Sequence, residues 1–219
     1  MKKIINFFKL FIKLLNESSI QDTNPVKTET PPQVIQFPLP QPVIEQPKPK
    51  KELISLEIIR CLVVGEISRY VGAKEIGTNT DAGGIIDKII LTMGGELGWP
   101  WCAATVCYTV LQVCNKLQIS YPKTLYRGFS SQAIKTDCDR KYLLTMPVMG
   151  SAFVHTNQPF DGHGHCGICS SDIYGVNYYT IEGNASNNIE TRGDRSLIYS
   201  NVFVDISQAI YDQYKLENP

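Results

Sequence analysis

The 219-residue chain has no run of 18 or more consecutive apolar residues, so an ordinary membrane-spanning helix is not expected. Nor is there an excess of charge. Its 21 basic and 21 acidic side chains cancel, which argues against nucleic acid as the main partner. Histidine is scarce, with three residues, and no internal repeat is found. The seven cysteines are odd in number, and their spacing shows no disulfide framework. A hydrophobic share of 43% with 10% aromatics then excludes wholesale disorder and the collagen-like and coiled-coil classes. The length suits one domain with its own core, plus an appendage.

Composition divides the chain unevenly. Eight of the 13 prolines fall between Pro25 and Pro49, so residues 21–51 read as an extended, polyproline-like linker that cannot pack a core. Residues 1–50 carry seven Lys against four acids, a surplus of +3 that offsets −3 in the remainder. Ahead of the linker, residues 1–20 form a cationic, apolar segment. At helical period Lys2, Asn6, Lys9, Lys13 and Asn16 make a narrow polar stripe, and nine large apolar residues fill the rest of the first 16. Such a helix suits an anionic membrane surface or a groove on a protein partner. An export signal is the competing reading, since the positive start and apolar body fit, although Lys9 and Lys13 interrupt that body. No A-x-A-like cleavage site follows it. A tail of no consequence is the third reading.

Residues 52–215 read as the globular domain. Leu53, Leu56, Val63, Val64, Ile67, Tyr70 and Val71 recur at helical spacing and predict a helix over 52–71. A second helix is expected from Thr80 or Asp81, both acceptable N-caps, to Gly94-Gly95. A third is expected from about Cys102 to Leu117. Past residue 145 the period shifts towards two, with strands expected over 148–154, 165–171, 177–182 and 197–204. Helices followed by strands is the α+β pattern.

One cysteine stands apart. Cys102 follows Gly98-Trp99-Pro100-Trp101 where the third helix should begin, and free N–H groups at a helix start favour a thiolate, the nucleophilic form. A buried cysteine among aromatic neighbours is the structural alternative. Cys107 and Cys114 fall within the helix and read as small hydrophobes. A base has to come from His155, His163 or His165. His165 opens a strand, with Gly167 two residues on, so the missing side chain would leave room beside the imidazole. His163 lies in a Gly-flanked turn, and His155 follows a strand with no identifiable partner. In YYTIEGNAS, Glu182 and Asn184 project the same way from an extended backbone. One or both could accept the imidazole N–H while the other ring nitrogen faces the thiol. An ordinary turn is the bland reading of E-G-N. HGHCGIC looks superficially zinc-like, but Cys166 and Cys169 should face opposite sides of a strand and no second CxxC completes a site, so no metal is expected.

Taken together, VGAKEIGTNTDAGGIIDKIILTMGGELGWPWCAATVCYTVL, GHGHCGIC and YTIEGNASNN resemble the CHAP domain. This is the cysteine- and histidine-dependent amidohydrolase/peptidase family of phage endolysins, virion-associated lysins and bacterial autolysins. The likeness spans roughly residues 66–205 and rests on Trp-Cys-Ala, Gly-His-x-Gly-Ile and Glu-Gly-Asn in that order, with Glu75-Ile76-Gly77 as lead-in. Each motif is weak alone; the ordered set is specific. The resemblance implies a papain-like α+β fold with N-terminal helices packed on an antiparallel sheet. It implies Cys102 as nucleophile, His165 as base, Glu182 as its orienting group and Asn184 assisting it or polarising the site. Trp99 and Trp101 are expected to shape a substrate cleft, with plain core packing of either as the alternative. The implied substrate is bacterial peptidoglycan, cut at amide bonds with no cofactor, by a protein associated with a virion or exported to the envelope. Thr105, Cys166 and Cys169 depart from the usual family residues. An Asp-rich calcium loop has no counterpart before Cys102, so calcium is not expected.

Overall fold

The computed structural model describes residues 53–155, 164–171, 177–197 and 202–219. The cationic segment, the proline-rich linker, His163 and residues 198–201 of the last expected strand therefore lie outside the described residues.

Helix α1 covers Leu56–Ser68, shorter than the expected 52–71. Ser55 caps it, accepting from the Ile58 N–H at 3.4 Å, and Ile59, Val63 and Ile67 form its buried stripe. Past Ser68 the chain tightens into three-residue turns, with the Tyr70 N–H donating to the Ile67 carbonyl at 3.1 Å, and Gly72 (φ 94°) then turns it left-handed. Helix α2 covers Ile85–Thr92 and begins later than expected, because Ala82 and Gly83 at positive φ break the path from Asp81. Asp81 still caps from a distance: its carboxylate accepts from the Ile86 and Asp87 N–H groups at 2.9 and 3.1 Å. Helix α3 spans Cys102–Leu117, with the bounds the sequence predicts. Its residues from Cys102 to Val110 are all buried, not merely one stripe, because α1, α2, two central strands and the last helix of the chain surround it. Ala103, Ala104, Thr105 and Cys107 keep it slim enough for that position.

A short helix α4 (Ser131–Thr136) and a 3₁₀ turn (Arg140–Tyr142) lead into the sheet. Its strands are β1 (Leu143–Leu144), β2 (Ala152–His155), β3 (His165–Cys169), β4 (Asn177–Ala185), β5 (Asn188–Ser196) and β6 (Val202–Val204). They pair antiparallel in the order β1-β6-β2-β3-β4-β5. The domain is thus α+β, with five helices and a six-stranded antiparallel sheet among the described residues. Five elements have no counterpart in the sequence expectations: α4, the 3₁₀ turn, β1, β5 and the last helix. Strand β5 is largely polar, with Ile189 its one fully buried apolar side chain, and is held by pairing with β4. Helix α5 (Ile206–Glu217) follows the sheet, so the order is not simply helices and then strands. Asp205 caps it by accepting from the Gln208 N–H at 3.0 Å, and pairs with Arg60 of α1 at 2.8 Å.

The main core lies between the helices and one sheet face, on which Ala152, Val154, Cys166, Ile168 and Ile181 project. Phe153, Cys169, Tyr178 and Phe203 form a smaller cluster on the other face. Cys166 and Cys169 accordingly occupy opposite faces. By the same alternation His155, His165, Thr180 and Glu182 share the face of the smaller cluster.

Candidate active site

Cys102 is the first residue of α3, and Trp101 is the N-cap. The entrance is held from behind. Trp101 is fully buried, and its Nε1–H donates to Glu75 Oε1 at 2.8 Å. Glu75 Oε2 accepts from the Asn79 N–H at 3.0 Å, and Asn79 Nδ2 donates to the Gly98 carbonyl at 3.0 Å. The Glu75–Asn79 loop therefore clamps both sides of the turn that delivers the thiol.

His165 is delivered by the first position of β3, and Glu182 by the middle of β4. Their side chains meet at 2.9 Å, Nε2 to Oε2. The Cys102 thiol lies close enough to the imidazole that each shifts the titration of the other. With Nε2 committed to Glu182, Nδ1 is the nitrogen left for sulfur, which resolves the choice the sequence left open. Gly167 does serve this arrangement, but differently from expectation. A Cβ there would lie 2.8 Å from Phe153 Cε1 and 2.9 Å from Glu182 Cγ, so its vacant space admits those two side chains.

Three residues to which the sequence reading gave no part in the site complete the cluster. Thr180 Oγ1 donates to Glu182 Oε1. Arg195, from β5, donates from Nε to the same oxygen at 2.6 Å and from Nη2 to Oε2. The Cys166 thiol lies beside that of Cys102 and is the largest influence on its titration. Thr180 lies two residues before Glu182, so a shared strand face was an available signal for it. Arg195 lies in the polar run TRGDRS, where nothing local separates it from a surface arginine.

The charges follow from these contacts. The Cys166 thiol, opposing the effect of burial and aided by His165 and the Ala103 N–H, holds the Cys102 thiol well below the ordinary thiol range. Burial pulls the His165 imidazole down, yet bonding to Cys102 and Glu182 more than offsets it, leaving it raised to about 9. Burial likewise opposes the Glu182 carboxylate, but Arg195 and His165 hold it down at about 2. The directions of these shifts favour a thiolate, an imidazolium and a carboxylate in sequence. Burial instead pushes up the thiols of Cys61, Cys107, Cys114, Cys138 and Cys166, so they stay protonated.

The remaining candidates are placed as follows. Asn184 does not join His165: a bulge between Glu182 and Ala185 breaks the two-residue alternation, and Asn184 takes φ 56°. Its Nδ2 donates to Asn79 Oδ1 at 3.4 Å, tying β4 to the Glu75–Asn79 loop. Of the two tryptophans only Trp99 reaches the surface, 43% exposed and edge-on to Phe129. Buried Trp101 cannot line a cleft directly. His155 is buried and neutral, lowered to about 4 by burial and by the charges of Arg195 and His165. Among the described residues no three metal-ligating side chains converge. Compared with protein-family profiles and with curated proteins, the chain matches none.

Proposed function

We propose that the domain is a peptidoglycan hydrolase of the CHAP type with a papain-like site, an amidohydrolase or peptidase acting through a cysteine nucleophile. The observation that carries this reading is the linked series of Cys102 at a helix start, His165 and Glu182. A buried thiolate–imidazolium pair backed by a buried carboxylate is costly to fold and has no packing rationale, whereas acyl transfer requires it.

In the proposed mechanism the Cys102 thiolate attacks an amide carbonyl of the wall peptide. His165 Nδ1–H protonates the departing amine, giving a thioester on Cys102. The now neutral imidazole takes a proton from water, which attacks the thioester and regenerates the thiolate and imidazolium. Glu182 keeps the ring oriented and favours its charged form throughout. Such proton transfer contributes about 10²–10⁴ in rate. The Cys102 backbone N–H, at the start of α3, is the proposed oxyanion donor, a role of similar weight. Exposed Trp99, three residues before the nucleophile, is the proposed surface for substrate.

Purified cell walls provide the test, by turbidity loss and gel zymography, with mass spectrometry of the fragments to identify the bond. Cys102→Ala should abolish lysis. A variant as active as the parent would overturn the assignment, and hydrolysis confined to soluble amides would redirect it to a small-molecule amidase. If neither substrate is cut, a binding or scaffolding role on a virion or envelope replaces the catalytic reading.

A further inference from the structure

Glu182 is completely buried and accepts from three side chains, one of which, Arg195, grips both of its oxygens. Arg195 comes from β5, an edge strand that contributes nothing else to the site, and its register partner on β4 is Tyr178, not Glu182. Its guanidinium lies over the Phe153 ring, 5.7 Å from the centroid, and its side chain is 16% exposed. A solvated surface arginine would not bury its charge in this way.

We propose that Arg195 is a positioning residue of the candidate active site, fixing the Glu182 carboxylate so that it sustains the Cys102–His165 ion pair. The inference rests on the catalytic reading above and adds a fourth member to its series. Two physical arguments support it. A two-point fork fixes the plane of the carboxylate, and so the direction from which Oε2 meets His165 Nε2. Charge balance is the second. Thiolate, imidazolium, carboxylate and guanidinium sum to zero in a buried site. Without Arg195 the same site carries one net negative charge, which is relieved by protonating either Glu182 or Cys102.

Other groups around the cluster do not take over this role. His155 on β2 is held neutral, and the Cys166 thiol on β3 is pushed up, so it carries no charge to offset. Thr180 on β4 donates without charge. Asp194 and Tyr178 act on Arg195 itself and only strengthen its charged form.

Iodoacetamide alkylation of Cys102 against pH, followed by peptide mass mapping on the full chain, reads the ion pair without any substrate. In Arg195→Met the acid limb of the alkylation profile should move up by about 1–3 pH units, the usual effect of losing an adjacent opposite charge. Arg195→Lys should fall between parent and Met, restoring charge but not the fork. In a Glu182→Gln background, Arg195→Met should no longer raise the limb, since there is no carboxylate to hold.

A folded Arg195→Met protein, checked by circular dichroism, with the parental profile overturns the inference. So does an equal upward shift in the Glu182→Gln background, which would place the action of Arg195 on the thiol directly. If Arg195→Met fails to fold, Arg195→Lys decides: a parental profile there overturns the inference. If instead Cys102 of the parent alkylates no faster than exposed Cys61, the catalytic reading itself fails, a result distinct from those concerning Arg195.

Discussion

Gly183, the middle residue of Glu-Gly-Asn, offers a sharp test of how the sheet positions the site. A Cβ at this position would lie 2.1 Å from Thr105 Oγ1, 2.7 Å from Thr105 Cβ and 2.9 Å from Trp101 Cζ3. Neither neighbour has room to yield. Both are fully buried at the start of α3, and Thr105 Oγ1 donates to the Trp101 carbonyl at 3.0 Å. In Gly183→Ala, β4 has to retreat by roughly 1 Å to restore ordinary contact. Overpacking of this kind costs about 1–3 kcal/mol. For a domain of this size that lowers the melting temperature by about 2–12 °C. The retreat carries Glu182 with it, and displacement on that scale is worth up to about 100-fold in reactivity. Thermal unfolding and the Cys102 alkylation rate measure the two effects. Gly193→Ala is the control: its Cβ would meet Tyr179 Cε1 at 2.6 Å, but Tyr179 is 50% exposed and free to swing aside. That variant should stay within about 0.5 kcal/mol of the parent. Adding Thr105→Ala to Gly183→Ala removes the shortest contact and should recover part of the loss. A Gly183→Ala protein with parental melting and parental alkylation would refute the claim that close approach of β4 to α3 sets the site geometry.

Cys166→Val removes the thiol that most lowers the Cys102 titration while keeping the volume apolar. A hydrogen bond to a charged group is worth about 1.5–3 kcal/mol, so the acid limb of alkylation should rise by about 1–2 pH units. A superimposable profile would remove Cys166 from the account. For pH dependence, His165 is raised to about 9, so hydrolysis needing its proton should be full below that value and fall as pH rises through it. Glu182 is depressed to about 2 from an ordinary 4.5, so its contribution to stability is present above 4.5 and lost as pH falls towards 2. That contribution is on the order of 3 kcal/mol. Glu182→Gln should flatten the acid side of a plot of melting temperature against pH, and an unchanged slope would contradict this assignment. Deleting residues 1–20 should abolish sedimentation with anionic vesicles without affecting wall hydrolysis; retained vesicle binding would rule out anchoring by that segment.

Helix α3 was legible to the residue because its signals are local. An aromatic-proline approach and a helix-compatible run act within a few residues of one another. The α+β pattern and the placing of Cys102, His165 and Glu182 on a helix start and two strands were legible for the same reason, since period and punctuation report the backbone nearby. Asn184 illustrates where that ends. Its spacing from Glu182 promised a shared direction, and a bulge in the β4–β5 pairing turned it towards Asn79. Polar β5 is a strand because β4 lies beside it, and Arg195 reaches Glu182 from there. Cys166 touches Cys102 only because α3 packs on β3.

The sequence by itself thus determined which residues could do the chemistry and the local backbone that presents each one. Tertiary structure alone decided what surrounds them: that His165 Nε2 meets Glu182, that Arg195 holds the Glu182 carboxylate, and that the Cys166 thiol lies beside Cys102. The reason is physical. Helix formation depends on neighbours three or four residues away, whereas burial and charge compensation depend on distances in space that chain order does not encode.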